Sequence, residues 1–251
     1  MNWSVKWETF WHDMSQPFWQ ELLLDGILNT LKVAILGFIV GIIIGTLIAV
    51  VKVAPKYKLI IRILNKICDF YVAIFRGTPM VVQLLIAYYV LIPALGVKGI
   101  EALNVGIVVF GMNSGAYIAE IMRGGLNSVD SGQMEAGRSV GLGYGVTMIK
   151  IVIPQAIKNI LPTLGNEFIT LIKETSVLSF ITVYDLYTVL STLGTQNYEK
   201  VIPFIVMAVI YIALVLVVTL IIKLLETLLA RSERNRTTNR KKNKKAVEEM
   251  L

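Results

Sequence analysis

The sequence predicts an all-α integral membrane protein with about five transmembrane helices, its N-terminus outside and its C-terminus inside. Of its 251 residues 55% are hydrophobic and only 16% charged, with a mean hydropathy of +0.69, well beyond the range of soluble domains. Long apolar runs recur with Gly, Ala, Val and Ile on every face, which suits helices solvated by lipid. The segments between those runs alternate in charge. Residues 52–69, 121–158 and 223–251 carry +4, +2 and +5, against −3, 0 and −1 for residues 1–26, 92–104 and 184–200. Positive connections stay in the cytosol, so the first set is inside.

Residues 1–26 contain all four tryptophans, and Trp3, Trp7 and Trp11 recur every fourth residue beside Phe10, Met14 and Phe18. A helix here has one aromatic flank and is expected to lie in the outer headgroup layer. It lacks the cationic start and unbroken apolar stretch of a targeting segment, so it is expected to stay on the protein. The membrane unit is expected over residues 27–228. Its first span, residues 27–51, has Lys32 as its only charge and places Gly37, Gly41 and Gly45 four apart, a spacing that lets another helix approach closely. Lys52, Lys56, Lys58, Arg62 and Lys66 follow in a cytosolic connection.

The second span, residues 67–92, contains Phe75-Arg76-Gly77-Thr78-Pro79. Thr as N-cap and Pro at the first helical position signal a helix start inside an apolar run, so a break is expected there. Counted from residue 67, ten residues at ~1.5 Å each place it ~15 Å into a ~30 Å hydrocarbon core. The third span, residues 104–122, puts Asn113, Tyr117 and Glu120 on one face, which must meet protein or water rather than lipid. Residues 133–182 begin as an amphipathic, Gly-containing cytosolic stretch and return through the membrane over residues 165–183, with Lys173 and Glu174. Residues 185–200 read as a short polar connection, residues 201–225 as the last span, and residues 229–251 as a basic cytosolic tail. That tail lacks aromatic residues and suits anionic lipid rather than nucleic acid, at roughly 1 kcal/mol per cation near the surface.

The residues for several chemistries are missing. One cysteine, Cys68, excludes an internal disulfide, and one histidine, His12, leaves no His triad or His-rich metal site. No GxxxxGK[ST] phosphate loop occurs, and Gly141, Gly143 and Gly145 lack the spacing of a dinucleotide fingerprint. Polar residues inside apolar spans therefore point to transport, with no catalytic residues, no metal and no cofactor expected in this chain.

Glu135-Ala136-Gly137, then Gly141, then Ile151, Ile153 and Pro154 resemble the EAA loop of ABC importer permeases: EAA, three residues, Gly, nine residues, I-x-L-P. Gly137 stands for the second Ala and Ile153 for the Leu. Together with YVAIFRGTPMVVQLL and AYIAEIMRGGLNSVDSGQMEAGRSVGLG, about residues 20–228 are similar to the polar amino-acid branch of that family. The resemblance implies a five-helix permease subunit whose cytosolic stretch, about residues 133–163, is a coupling helix. Its partners would be a second permease, identical or homologous, an ATPase dimer that binds ATP and Mg at the cytosolic face, and an extracellular substrate-binding protein. The ATPase contact would involve Glu135, Ala136, Gly137, Gly141, Leu142, Gly143, Ile151 and Pro154, with Pro154 and Pro162 breaking the return path into rigid pieces. For an amino-acid substrate, the break aims a helix N-terminus at a carboxylate. Arg76, Gly77, Thr78, Pro79, Gln83, Asn113, Tyr117 and Glu120 are the candidate pathway residues. Arg76 is either a substrate charge or the partner of Glu120, and the polar side chains serve either substrate or helix-to-helix bonding. A stand-alone channel or ion-coupled carrier is the alternative, though the chain shows no internal repeat of the kind carriers have. A membrane substrate sensor is another.

Overall fold

The computed structural model describes residues 2–55 and 57–248, and side chains only to residue 228, so the charges expected in the tail lie outside the described residues. The helices are α1 (Trp3–Met14), α2 (Pro17–Val53), α3 (Leu59–Gly77), α4 (Met80–Ala94), α5 (Ala102–Asn127), α6 (Ser131–Ser139), α7 (Ile153–Glu174), α8 (Leu186–Gln196) and α9 (Val201–Glu248). Three stretches, in α2, in α5 and over Val201–Leu228, are long and apolar enough to cross a membrane. Two bent pairs bring the total to five if each is one span.

The glycines expected to admit a close neighbour do so, and their partner is α5. A methyl group on Gly37, Gly41 or Gly45 would lie 3.0 Å from Phe110 Cβ, 2.9 Å from Ser114 Cβ and 2.6 Å from Ile118 Cγ2. The fit is reciprocal, because Gly115 of α5 receives Ile44 and Gly111 receives Val40. Each helix thus sets side chains into gaps on the other, which gains dispersion contact without needing a polar bond. Around this pair, Val33, Leu84, Phe110, Leu171, Leu178 and Ile181 form one core cluster, and Ile48, Val72, Ala116 and Ala119 another.

Three expectations need correction. First, residues 1–26 do not stand apart from the first span as one piece. Pro17 starts α2, the position where its fixed φ and missing N–H suit a helix, and α2 continues for 37 residues. On α1 the buried residues are Phe10 and Met14, packed against Trp19, Leu186 and Leu190, while Trp3 and Trp11 are exposed. Lys6 pairs with Glu199, whose carboxyl it holds below the usual carboxylate range, and Asn197 donates to Asp13, so α1 is fastened to the turn before α9.

Second, residues 185–200 are not merely a polar connection. Asp185 is buried and caps α8 by accepting from the Tyr187 and Thr188 N–H groups at 3.2 and 3.0 Å. Leu186, Val189, Leu190 and Leu193 then form a buried stripe. The hydroxyls that make the segment look hydrophilic bond backwards, Thr192 to the Thr188 carbonyl and Thr195 to that of Ser191, so the helix hides its own polarity.

Third, Pro162 lies inside α7 without dividing it. Pro93 and Pro154 are handled differently: each follows a widened, π-type turn, over Ile86–Leu91 and Met148–Val152. A wider turn carries away the carbonyl that a proline ring would strike.

The α2–α5 fit leads to a test. Gly41→Val should lower thermal stability in detergent by about 1–3 kcal/mol or prevent accumulation of folded protein. Gly124→Ala, on the same helix pair with nothing within 4 Å of the added carbon, should leave it unchanged or raise it slightly. Equal behaviour of the two variants would contradict the packing.

Candidate functional site

The break between α3 and α4 falls where expected, and the two helices meet at 107°. The capping differs by one residue. Thr78 ends α3 and Pro79 takes the N-cap position of α4. The Thr78 hydroxyl donates to the Ile74 carbonyl at 2.8 Å instead of capping the new helix. The helix before the break begins at Leu59, so it has 19 residues rather than ten, about 28 Å of axis. The midplane position counted from residue 67 therefore loses its basis.

Breaking a helix strands the carbonyls of its last turn. Gln83 answers for these: its Nε2 lies 2.8 Å from the Phe75 carbonyl, 3.0 Å from that of Thr78 and 2.8 Å from Thr78 Oγ1. Gln83 Oε1 in turn accepts from buried Asn113 at 2.9 Å, and Tyr71 on α3 donates to the Met112 carbonyl at 2.5 Å. The bend is thus tied to the middle of α5. Arg76 and Gly77 stand exposed at the corner, with the Arg76 guanidinium 5.3 Å from the centre of the Tyr117 ring, a cation–π contact.

Arg76, Thr78, Gln83, Asn113 and Tyr117 are therefore brought together. Glu120 is not part of this group, and the Arg76–Glu120 pair considered from sequence does not form. Glu120 Oε1 accepts from Lys52 at 2.5 Å, and Oε2 accepts from Arg123 Nε and Nη2 at 3.0 and 2.7 Å. Sequence reasoning missed Glu167 on α7, whose carboxylate accepts from Ser114, the neighbour of Asn113, at 3.2 Å. The available signal was a carboxylate in an apolar helix two turns before Glu174.

At the other end of α5, Asp130 caps α6 through the Gly132 N–H at 2.7 Å. The far end of α6 closes with paired backbone bonds, Gly141 N–H to the Arg138 carbonyl and Leu142 N–H to that of Gly137, each 3.1 Å. That closure needs a left-handed residue after the helix, and Gly141 supplies it with φ +85°. Of Gly141, Gly143 and Gly145, only Gly141 has positive φ. Glu135 and Ala136 face outward, whereas Gly137 is buried. A side chain on Gly137 would press on Thr147 Cγ2 at 2.5 Å and Ile151 Cδ1 at 3.2 Å, so glycine at this place lets α6 sit against the return path. Leu142 is half-buried, and Pro154 opens α7 just beyond Ile151.

Residues 37–231 match the family described as binding-protein-dependent transport system inner membrane component. A putative glutamine transport system permease protein of Rickettsia bellii is 38% identical over 77% of the chain and 86% of its own length. An arginine transport system permease protein of Bacillus subtilis is 37% identical over 78% and 86%. A crystal structure described as an amino acid ABC transporter with histidines superposes with a TM-score of 0.76 at 36% identity, covering 85% of this chain and 97% of the other. An inward-facing methionine ABC transporter, 18% identical with a TM-score of 0.69, has the same fold.

The tie at the bend predicts that Gln83→Leu and Gln83→Glu both lower thermal stability, by about 1–3 kcal/mol, because each removes the donor that the carbonyls of α3 rely on. Stability of Gln83→Glu equal to that of the parent would show that the amide donor is not what holds the bend.

Proposed function

The chain belongs to the binding-protein-dependent transport system inner membrane component family, and on that footing we propose that it is the permease subunit of an ATP-driven importer for a polar amino acid. Glutamine and arginine permeases among its relatives support the substrate class. A cytosolic ATPase dimer, binding ATP and Mg, powers the cycle, and an extracellular binding protein delivers the substrate. The N-terminus lies outside and α6 inside, as the alternation of loop charge requires.

The observation that carries this reading is α6. It is closed at both ends by its own bonds, presents Glu135 and Ala136 outward, and seats Gly137 on the helix that returns to the membrane. A short helix of this kind moves as one piece, so a displacement imposed on its outer face passes to α7. In the Val201–Leu228 span the most apolar stretch buries none of its residues inside the chain. That leaves a face for lipid and for a second permease subunit, a copy or a homologue.

Substrate passes the bend between α3 and α4. Met80 and Val81 begin α4 without a side-chain cap, and their N–H groups, with Arg76 beside them, suit an α-carboxylate. Glu167, bonded to Ser114 across the path, suits the ammonium group. Gln83 and Asn113 shape the path by fixing the bend, and Glu120 lies outside it.

In reconstituted transporter with its ATPase and binding protein, Glu135→Lys and Gly141→Val should each reduce uptake by at least about tenfold and weaken copurification of the ATPase, because one reverses the charge of the outer face and the other forces a β-branched residue to φ > 0. Both proteins should still insert into the membrane. Normal uptake by both would refute the coupling role, and uptake without any ATPase would favour a carrier.

A further inference from the structure

The seam between α5 and α7 has two unlike flanks. At the seam itself, buried Gly125 receives the Ile160 side chain, and Ser114 bonds Glu167 further along. One flank is apolar, a cavity of about 620 Å³ where Met122, Leu126, Ile157 and Leu161 face the end of α2. The other flank is polar. There Ile121, Gly124 and Ser128, at the end of α5, line a groove of about 490 Å³ with Asn159 and Thr163 of α7, a volume within the range of small-molecule sites. Glu120 stands at its edge, with both oxygens already engaged by Lys52 and Arg123.

The groove continues the side of α5 that faces the bend. Tyr117, Ile121, Gly124 and Ser128 recur at steps of four, three and four residues, so they share one helix face, and Tyr117 is the residue beside Arg76. The two helices run antiparallel along the seam, since Ser114 meets Glu167 and Gly125 meets Ile160. Glu167, Thr163 and Asn159 on α7 therefore lead away from the bend in the same direction. Thr163 lies about 6 Å along the axis from Glu167, and Asn159 about 12 Å.

Gly124 is the informative residue. Gly125 needs its missing side chain, because a methyl group there would strike Ile160, whereas a methyl group on Gly124 would meet nothing within 4 Å. Nor does Gly124 have the positive φ that accounts for Gly141. Glycine inside a helix is less stable than alanine, and among the described residues no contact or backbone angle compensates for it at Gly124. The opposite wall points the same way. Thr170, Thr192 and Thr219 return their hydroxyls to the carbonyl four residues back. The Thr163 hydroxyl and Asn159 Oδ1 have no partner among the described residues, while the Asn159 amide donates to Ser128 Oγ at 2.9 Å.

We infer that this groove is the cytosolic half of the substrate path: the amino acid leaves the level of Glu167, passes between Gly124 and Thr163, and emerges by Asn159 and Ser128, near the start of α6. The inference rests on the importer reading, which puts α6 inside. Hydroxyl and amide groups along the wall replace part of the water around the ammonium and carboxylate. They carry no fixed charge to hold either, and a path has to release what it admits. Glycine at 124 keeps the passage open.

The test uses the full transporter, reconstituted with its ATPase and binding protein, and follows uptake of radiolabelled L-glutamine and L-arginine by Gly124→Ala, Gly124→Leu and Gly124→Phe. Uptake is expected to fall with side-chain size, by less than about twofold for Gly124→Ala and at least about tenfold for Gly124→Phe. Thermal stability and copurification of the ATPase and of the second permease subunit should stay at parental levels, because the added atoms enter open space. If Gly124→Phe does not accumulate, Thr163→Phe, exposed on the facing wall, should lower uptake to the same degree. Parental uptake by the folded variants would overturn the groove as the path and leave the importer reading standing. Loss of either partner in step with uptake would overturn it too, marking the groove as a subunit contact. No uptake by the parent, with its partners bound, would instead refute the importer reading and the path with it.

Discussion

The close approach of α2 and α5 is the constraint on which the remaining architecture depends. Lipid tails offer no hydrophobic reward for bringing two apolar helices together, so the contact has to come from shape. Gly37, Gly41 and Gly45 accept Phe110, Ser114 and Ile118, and Gly111 and Gly115 accept Val40 and Ile44. This interlock sets the register of α5, and that register decides what Asn113, Tyr117 and Glu120 meet. Asn113 reaches the bend through Gln83, Tyr117 lies beside Arg76, and Glu120 arrives a turn lower, beside Lys52.

Features written in local chemistry were legible in the sequence. Thr78-Pro79 marks the helix break because proline restricts its predecessor and lacks an N–H, and the bend is there. Glycines four apart mark close contact, although only folding shows which helix fills it. The Glu135–Pro154 spacing marks the stretch that the structure builds as α6 and its seat on the return path. In the structure its glycines separate into unequal roles: Gly141 for its φ, Gly137 for its missing side chain.

What was not legible depends on partners distant in the chain. One face of a helix can present Asn113, Tyr117 and Glu120 together, yet a rise of about 1.5 Å per residue puts the first and last some 10 Å apart, too far to share one ligand group. Arg76 therefore could not be assigned between Tyr117 and Glu120 without the α3–α5 contact. Residues 185–200 looked like a connection because Asp, Thr and Ser count as polar one at a time. Their bonds to the helix backbone and the burial of Asp185 as a cap appear only in three dimensions. Glu167 was overlooked for a similar reason, since its partner Ser114 lies 53 positions away.

The widened turns before Pro93 and Pro154 bear on how such a chain tolerates insertion and deletion. A π-type turn amounts to one surplus residue held inside an otherwise regular helix. Deleting a residue from Met148–Val152 would restore regular winding, but Pro154 would then have its ring against the carbonyl four positions back. Replacing Pro154 alone would leave a wide turn with nothing to accommodate. The surplus residue and the proline are each unfavourable without the other, so removing either one alone is expected to cost stability, and chain length and sequence are tied together at the root of α7.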